Sequence, residues 1–223
     1  MFTSTLGGCF ALNHDSCGAV HRGCRRRRRP RGRPAQAAPI TLSAGHVDVV
    51  DIGYEDGALK LVLAEETTGT EVEHDPADVV LHVKPDAETT VPANSAYSFL
   101  GSPGDPVWIL PQTDNRDLPY AGWAAHEVDS GVFQGDAVQL RLTAVDGPAD
   151  VSVFDVGGSG PTKRFDSGDG LPDSVNVAAG EHHHTNWAFE AEGEYTLTFK
   201  TTGTLRDGTT VSSDAVDYHF TVG

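Results

Sequence analysis

From Pro39 to Gly223 the chain contains no cysteine. That excludes a disulfide framework, a thiolate metal site and a cysteine nucleophile over this stretch. Methionine occurs once in the whole sequence. No apolar run reaches the ~18 residues that a membrane-spanning helix needs, so no transmembrane segment is expected. No glycine-rich phosphate loop is followed by lysine, and there is no G-x-S-x-G elbow or H-E-x-x-H helix. Ser, His and Asp are plentiful, but nothing in the sequence places two carboxylates together as a hydrolase would need. The expectation is a protein that is not an enzyme.

Positive charge is scarce outside one short region. The first 38 residues hold eight arginines (Arg22, Arg25 to Arg29, Arg31 and Arg33) and a single acid, Asp15. The rest keeps 8 of the 16 basic residues and 31 of the 32 acidic ones, a formal charge of −23. A body this acidic repels nucleic acid and anionic membrane surfaces and attracts cations. No nucleic-acid partner is expected.

The arginine-rich region does not read as part of a fold. Ala35-Gln36-Ala37 fits the small-x-small pattern of an export cleavage site, yet the apolar stretch that should precede it is missing. All three cysteines, Cys9, Cys17 and Cys24, lie in this same region. Residues 1–38 are therefore expected to be a disordered, damaged or misassigned signal region. Residues 39–223 are expected to be a secreted or cell-surface domain.

That domain has the punctuation of β-structure. The sequence is rich in glycine (25) and proline (13), and apolar residues recur with a period of two. "HVDVVDIGYE" directs Val47, Val49 and Ile52 to a core, and Asp56-Gly57 turns it into "ALKLVLAEE". "DVVLHVKP" is a third strand, stopped by Pro85. Asp86 to Ser130 is irregular and aromatic, with one short strand at "PVWILP". Tyr97, Phe99, Trp108, Tyr120 and Trp123 are expected to pack on the sheets from this stretch. Beyond Gly135, "AVQLRLTAVD", "DVSVFDVG" and "EGEYTLTF" alternate cleanly. In the last of these Tyr195 is placed to tie its hydroxyl to nearby backbone. About eleven short strands with regular turns predict an all-β fold, an antiparallel Greek-key, immunoglobulin-like β-sandwich.

The histidines are the residues with chemistry to offer. "HHHTNW" runs straight into a patterned strand, so a purification tag is a poor explanation. Strand alternation sets His182 and His184 on one face with Asn186, and His183 on the other. Neutral imidazole is a common zinc ligand and also suits copper, nickel and iron. His46 and Asp48 form a second same-face pair, although nothing in the sequence brings the two pairs together. A solvated strand end explains three histidines more simply, and residue composition alone favours it. His126 is a distant candidate, whereas His82 and His219 read as structural. The Asp-rich "FDSGDGLPDS" and "TDNRD" lack EF-hand spacing and read as turns.

Three stretches together resemble the actinobacterial surface-anchored proteins of the choice-of-anchor M type. They are "GHVDVVDIGYEDGALKLVL", "SFLGSPGDPVWILPQT" and "HHHTNWAFEAEGEYTLTFKTTGTLRDGTTVSS…YHFTVG". The last carries an H-x-H-x-N-W-x-F opening, a G-x-Y-T-L-T-F strand and an L-x-D-G-T turn. The resemblance spans about residues 41–223. It implies an exported cell-surface accessory protein encoded beside a metal-type ABC transporter, whose components would be its partners. It also implies binding of zinc or manganese through His182 and His184, with His46 and Asp48 as co-ligands. Asn186 would then orient a ligand, and Trp187 would pack or shield. A ligand-free structural or adhesive wall module is the alternative.

Overall fold

The structure, a computed structural model, describes residues 38–223. The expectation for residues 1–37 lies outside the described residues. The strands in chain order begin with β1 (Ile40–Leu42), β2 (Gly45–Glu55), β3 (Ala58–Glu65), β4 (Val72–His74), β5 (Val79–Val83) and β6 (Glu88–Thr90). Next come β7 (Pro106–Leu110), β8 (Pro119–Glu127), β9 (Ala137–Asp146), β10 (Val151–Gly157), β11 (Gly160–Asp166) and β12 (Asp173–Ala178). The chain closes with β13 (His182–His184), β14 (Asn186–Phe189), β15 (Gly193–Thr204), β16 (Thr210–Ser212) and β17 (Val216–Val222). The helical pieces are short 3₁₀ turns, the longest spanning Ser95–Leu100. No helix among the described residues is long and apolar enough to cross a membrane. The fold is all-β, as the period-two pattern predicts.

The strands form three sheets, ordered β1-β5-β17-β15-β9-β12 with β16 on β15, β11-β10-β14-β7-β6, and β13-β8-β2-β3-β4. One apolar cluster draws on all three, with Val47, Val49 and Ile52 meeting Leu140, Leu142, Trp187, Phe189, Phe199 and Phe220. Each such side chain, fully buried, contributes about 1.5–3 kcal/mol. A second, smaller cluster packs Leu100, Val107 and Phe154 under Tyr97 and Phe99. The Asp56-Gly57 hairpin forms as read, with both residues at positive φ (52° and 81°), the geometry of a two-residue turn. Tyr195 is buried, and its hydroxyl donates to the Ala191 carbonyl at 2.9 Å while accepting the Ala191 N–H at 3.2 Å.

Pairing departs from the expected antiparallel arrangement. β1 with β5, β5 with β17, and β2 with β8 run parallel. A parallel pair needs a crossover of a dozen or more residues, and the chain between Glu55 and Pro119 supplies one for β2 and β8. β8 itself lies inside the stretch that reads as irregular. Its sequence, "PYAGWAAHE", is buried from Pro119 through Ala125 with only Tyr120 half-exposed. A strand covered on both faces shows no alternation, so Tyr120 and Trp123 sit in the middle of a sheet and not on a loop.

Candidate metal centre

The site is built on β8, with β2 on one side and β13 on the other. Register sets Asp48 and His184 opposite the same residue, Gly122, and places His46 opposite Tyr120 and His182 opposite Ala124. Two strands flanking a third are roughly 9–10 Å apart. Side chains from them meet only by leaning over the middle strand. Gly122 has no side chain to obstruct them, and Ala124 has a single methyl.

Two irregularities aim these side chains. β2 gains a residue beside Asp48, where its pairing with both neighbours shifts register. Bulges of this kind re-aim side chains next to functional sites. The bulge also explains why Val49 and Val50 are both fully buried. β13 is held by the turn before it. The Gly180 N–H donates to the Ala125 carbonyl at 2.9 Å, and the Ala125 N–H donates to the Glu181 carbonyl at 2.8 Å. The Glu181 carboxylate accepts from the Trp123 indole at 3.1 Å and from the Ala178 N–H at 2.9 Å.

The result is a convergence of three imidazoles. His46 Nε2 lies 3.1 Å from His182 Nε2, and His184 Nε2 lies 3.0 Å from each of them. Asp48 Oδ1 is 2.9 Å from His182 Nε2, and Oδ2 is 3.9 Å from His46 Nε2. The four donor atoms fall within 4.8 Å of one another. At Nε2 a neutral imidazole offers either a proton or a lone pair, not both. Three such atoms cannot close a ring of hydrogen bonds, and their lone pairs repel unless a cation lies between them. A tetrahedral zinc at ~2.0–2.1 Å from nitrogen sets its ligand atoms about 3.3–3.4 Å apart, close to the spacing found. Asp48 is 2 % exposed, and its Oδ1 faces His182 Nε2 at 2.9 Å without well-formed hydrogen-bond geometry. A buried carboxylate is costly unless charge or hydrogen bonds compensate it, and a cation among these groups would do so.

The surroundings hold these groups in ligating form. The His184 ring stacks on Tyr120 with centroids 3.6 Å apart and planes 9° from parallel. Burial, with His46 and His182 nearby, lowers its pKa to about 4 and keeps it neutral. The Ala121 carbonyl, which accepts the Thr185 N–H at 3.3 Å, lies beside that ring, although His184 Nδ1 makes no well-formed hydrogen bond. Burial raises the Asp48 carboxyl above the ordinary range, opposed by His182 and His46. Asp51, also buried, is pushed up to about 6 by burial and then by the charges of Asp48 and Glu127.

All four residues singled out in the sequence therefore meet. Asn186 does not. Its side chain donates to Gln112 Oε1 at 2.8 Å and to the Phe154 carbonyl at 3.0 Å, and it accepts the Gln112 N–H at 3.0 Å. The chain leaves one sheet for another at the fully buried Thr185, so β13 and β14 are not one strand and Asn186 shares no face with the histidines. Trp187 is fully buried between Phe199 and Phe220. His183 points away, as alternation predicts, to Asp155 Oδ1 at 3.0 Å. His82 reaches the Gly223 carbonyl and His219 the Thr196 hydroxyl. In the Asp-rich stretch, Asp166 accepts the Gly168 N–H and pairs with Lys163, so the acids there serve a turn and an ion pair. The sequence marks Tyr120 only as a packing aromatic and gives no sign of Gly122, because it hides β8.

No family model, curated protein or solved structure gives a significant match to this chain.

Proposed function

We propose that the domain binds a divalent transition metal, zinc foremost, through His46, Asp48, His182 and His184. The convergence of three Nε2 atoms on a buried carboxylate carries this reading. Four protein ligands fill a tetrahedral shell and leave no open position for a substrate, which favours a binding or carrier role over catalysis. The acidic composition and the resemblance to choice-of-anchor M proteins extend the proposal to an exported, cell-surface accessory of a metal-type ABC importer. The Tyr195 hydroxyl tie supports an immunoglobulin-like sandwich as the parent architecture.

The test is zinc and manganese titration calorimetry on the full chain and on its His182→Ala/His184→Ala double variant. The difference between the two isolates this site from zinc held elsewhere, for instance by the N-terminal cysteines. The expected result is one zinc per chain with micromolar or tighter affinity, absent from the double variant. Identical titrations would overturn the proposal and leave a ligand-free wall module in its place.

A further inference from the structure

His126 is a histidine that the four-ligand site does not use. It lies near the end of β8 and is exposed. Its ring meets the ring of His182 edge-on, with centroids 5.0 Å apart. β8 carries an extra residue here, since Asp51 pairs with Ala124 but Gly53 pairs with Glu127. That irregularity releases His126 from a regular ladder position, as bulges beside functional sites do.

The donors are graded from inside to outside. The Asp48 side chain is 3 % exposed, that of His46 25 % and that of His182 33 %. His126 is exposed, and its ring lies against that of His182, the most exposed of these three. A closed four-coordinate ion leaves slowly when a bond must break with nothing to replace it. A donor beside the outermost ligand changes the path, because a new metal–nitrogen bond forms as an inner one is lost. Imidazole fits this task, being a good ligand while neutral.

We infer that His126 is the exchange ligand of the site: it takes an incoming ion with His182 and passes it inward, and reverses this on release. The inference rests on the metal-binding reading above and adds the route by which the ion enters and leaves. It also assigns the surface beside His126 as the face a metal donor or acceptor would meet.

Stopped-flow zinc uptake, and zinc release into an excess of a colorimetric chelator, test this on the full chain. His126→Ala should slow uptake and release at least fivefold while equilibrium affinity stays within twofold of the parent. His126→Glu, which returns an oxygen donor, should recover most of the rate. Unchanged or faster rates in His126→Ala, or a His126→Glu variant as slow as alanine, would overturn the exchange role. So would weakened affinity with accelerated release, which would make His126 an equilibrium ligand. If the parent takes up no more zinc than the His182→Ala/His184→Ala variant, the metal reading fails and the exchange role with it. His126 is exposed, so the melting temperature of the metal-free variants should match the parent's.

Discussion

A Cβ placed on Gly122 would stand 2.8 Å from His184 Nδ1 and closer still to the His183 carbonyl oxygen. The backbone of β8 therefore sets how near β13 and its histidines come. Gly122→Ala should push β13 outward, lower zinc affinity at least a hundredfold by calorimetry, and cost about 1–3 kcal/mol in denaturant unfolding as an overpacked core does. An alanine variant with parental affinity would show that the histidines reach the ion without this approach.

Asp48 separates binding from stability. In the metal-free protein it is a buried carboxylate whose partners are histidines, with Oδ1 2.9 Å from His182 Nε2. Asp48→Asn removes the charge and keeps the shape. The metal-free variant should melt no lower than the parent, while its zinc affinity falls about tenfold or more. Loss of both together would mean that Asp48 is structural.

Zinc itself should raise the melting temperature. At a hundred times its Kd a ligand adds about 2.7 kcal/mol, which for a chain of this size is roughly 5–10 °C. Differential scanning calorimetry with zinc and then with EDTA measures this, and the His182→Ala/His184→Ala variant should show no shift.

Glu190, away from the metal centre, predicts a pH effect. Burial, with Asp150, Asp166 and Asp105 nearby, raises its pKa to about 7. The folded state then holds a proton that the unfolded state has released between about pH 4.5 and 7. Stability from this group is therefore present at the acid end and lost as pH rises through 7. The side chain is partly solvated, so screening reduces the effect to on the order of 1 kcal/mol. Glu190→Gln should flatten that part of the stability–pH curve in urea titrations.

Tyr195→Phe provides the opposite control. Removing the hydroxyl that bridges the Ala191 N–H and carbonyl should cost about 1–2 kcal/mol and leave zinc affinity unchanged.

The ligand residues were legible in the sequence only as two separate pairs. Alternation places His182 with His184 and His46 with Asp48, because each pair lies within one strand. Their meeting depends on β8, which the sequence hides. It is buried on both faces, built from small residues and paired in parallel with a strand far away in the chain, so it shows neither alternation nor a hairpin turn. Asn186 was misplaced for a related reason. The chain changes sheets at Thr185 with no glycine or proline to mark the break. Tyr195 and the Asp56-Gly57 turn were readable because their geometry is set by neighbours a few residues away.

His46 and His182 lie 136 residues apart in the chain. Half of the proposed ligand set is synthesised near the start of the domain, and the other half only after twelve of the seventeen strands among the described residues are complete. A nascent or truncated chain thus has a pair of weak donors at most. Full affinity would belong only to a molecule whose first and last thirds have already docked. On the proposed metal-binding role, loading would certify completed folding, and a seated ion would be a clasp across a very long loop, where closure has the most entropy to remove.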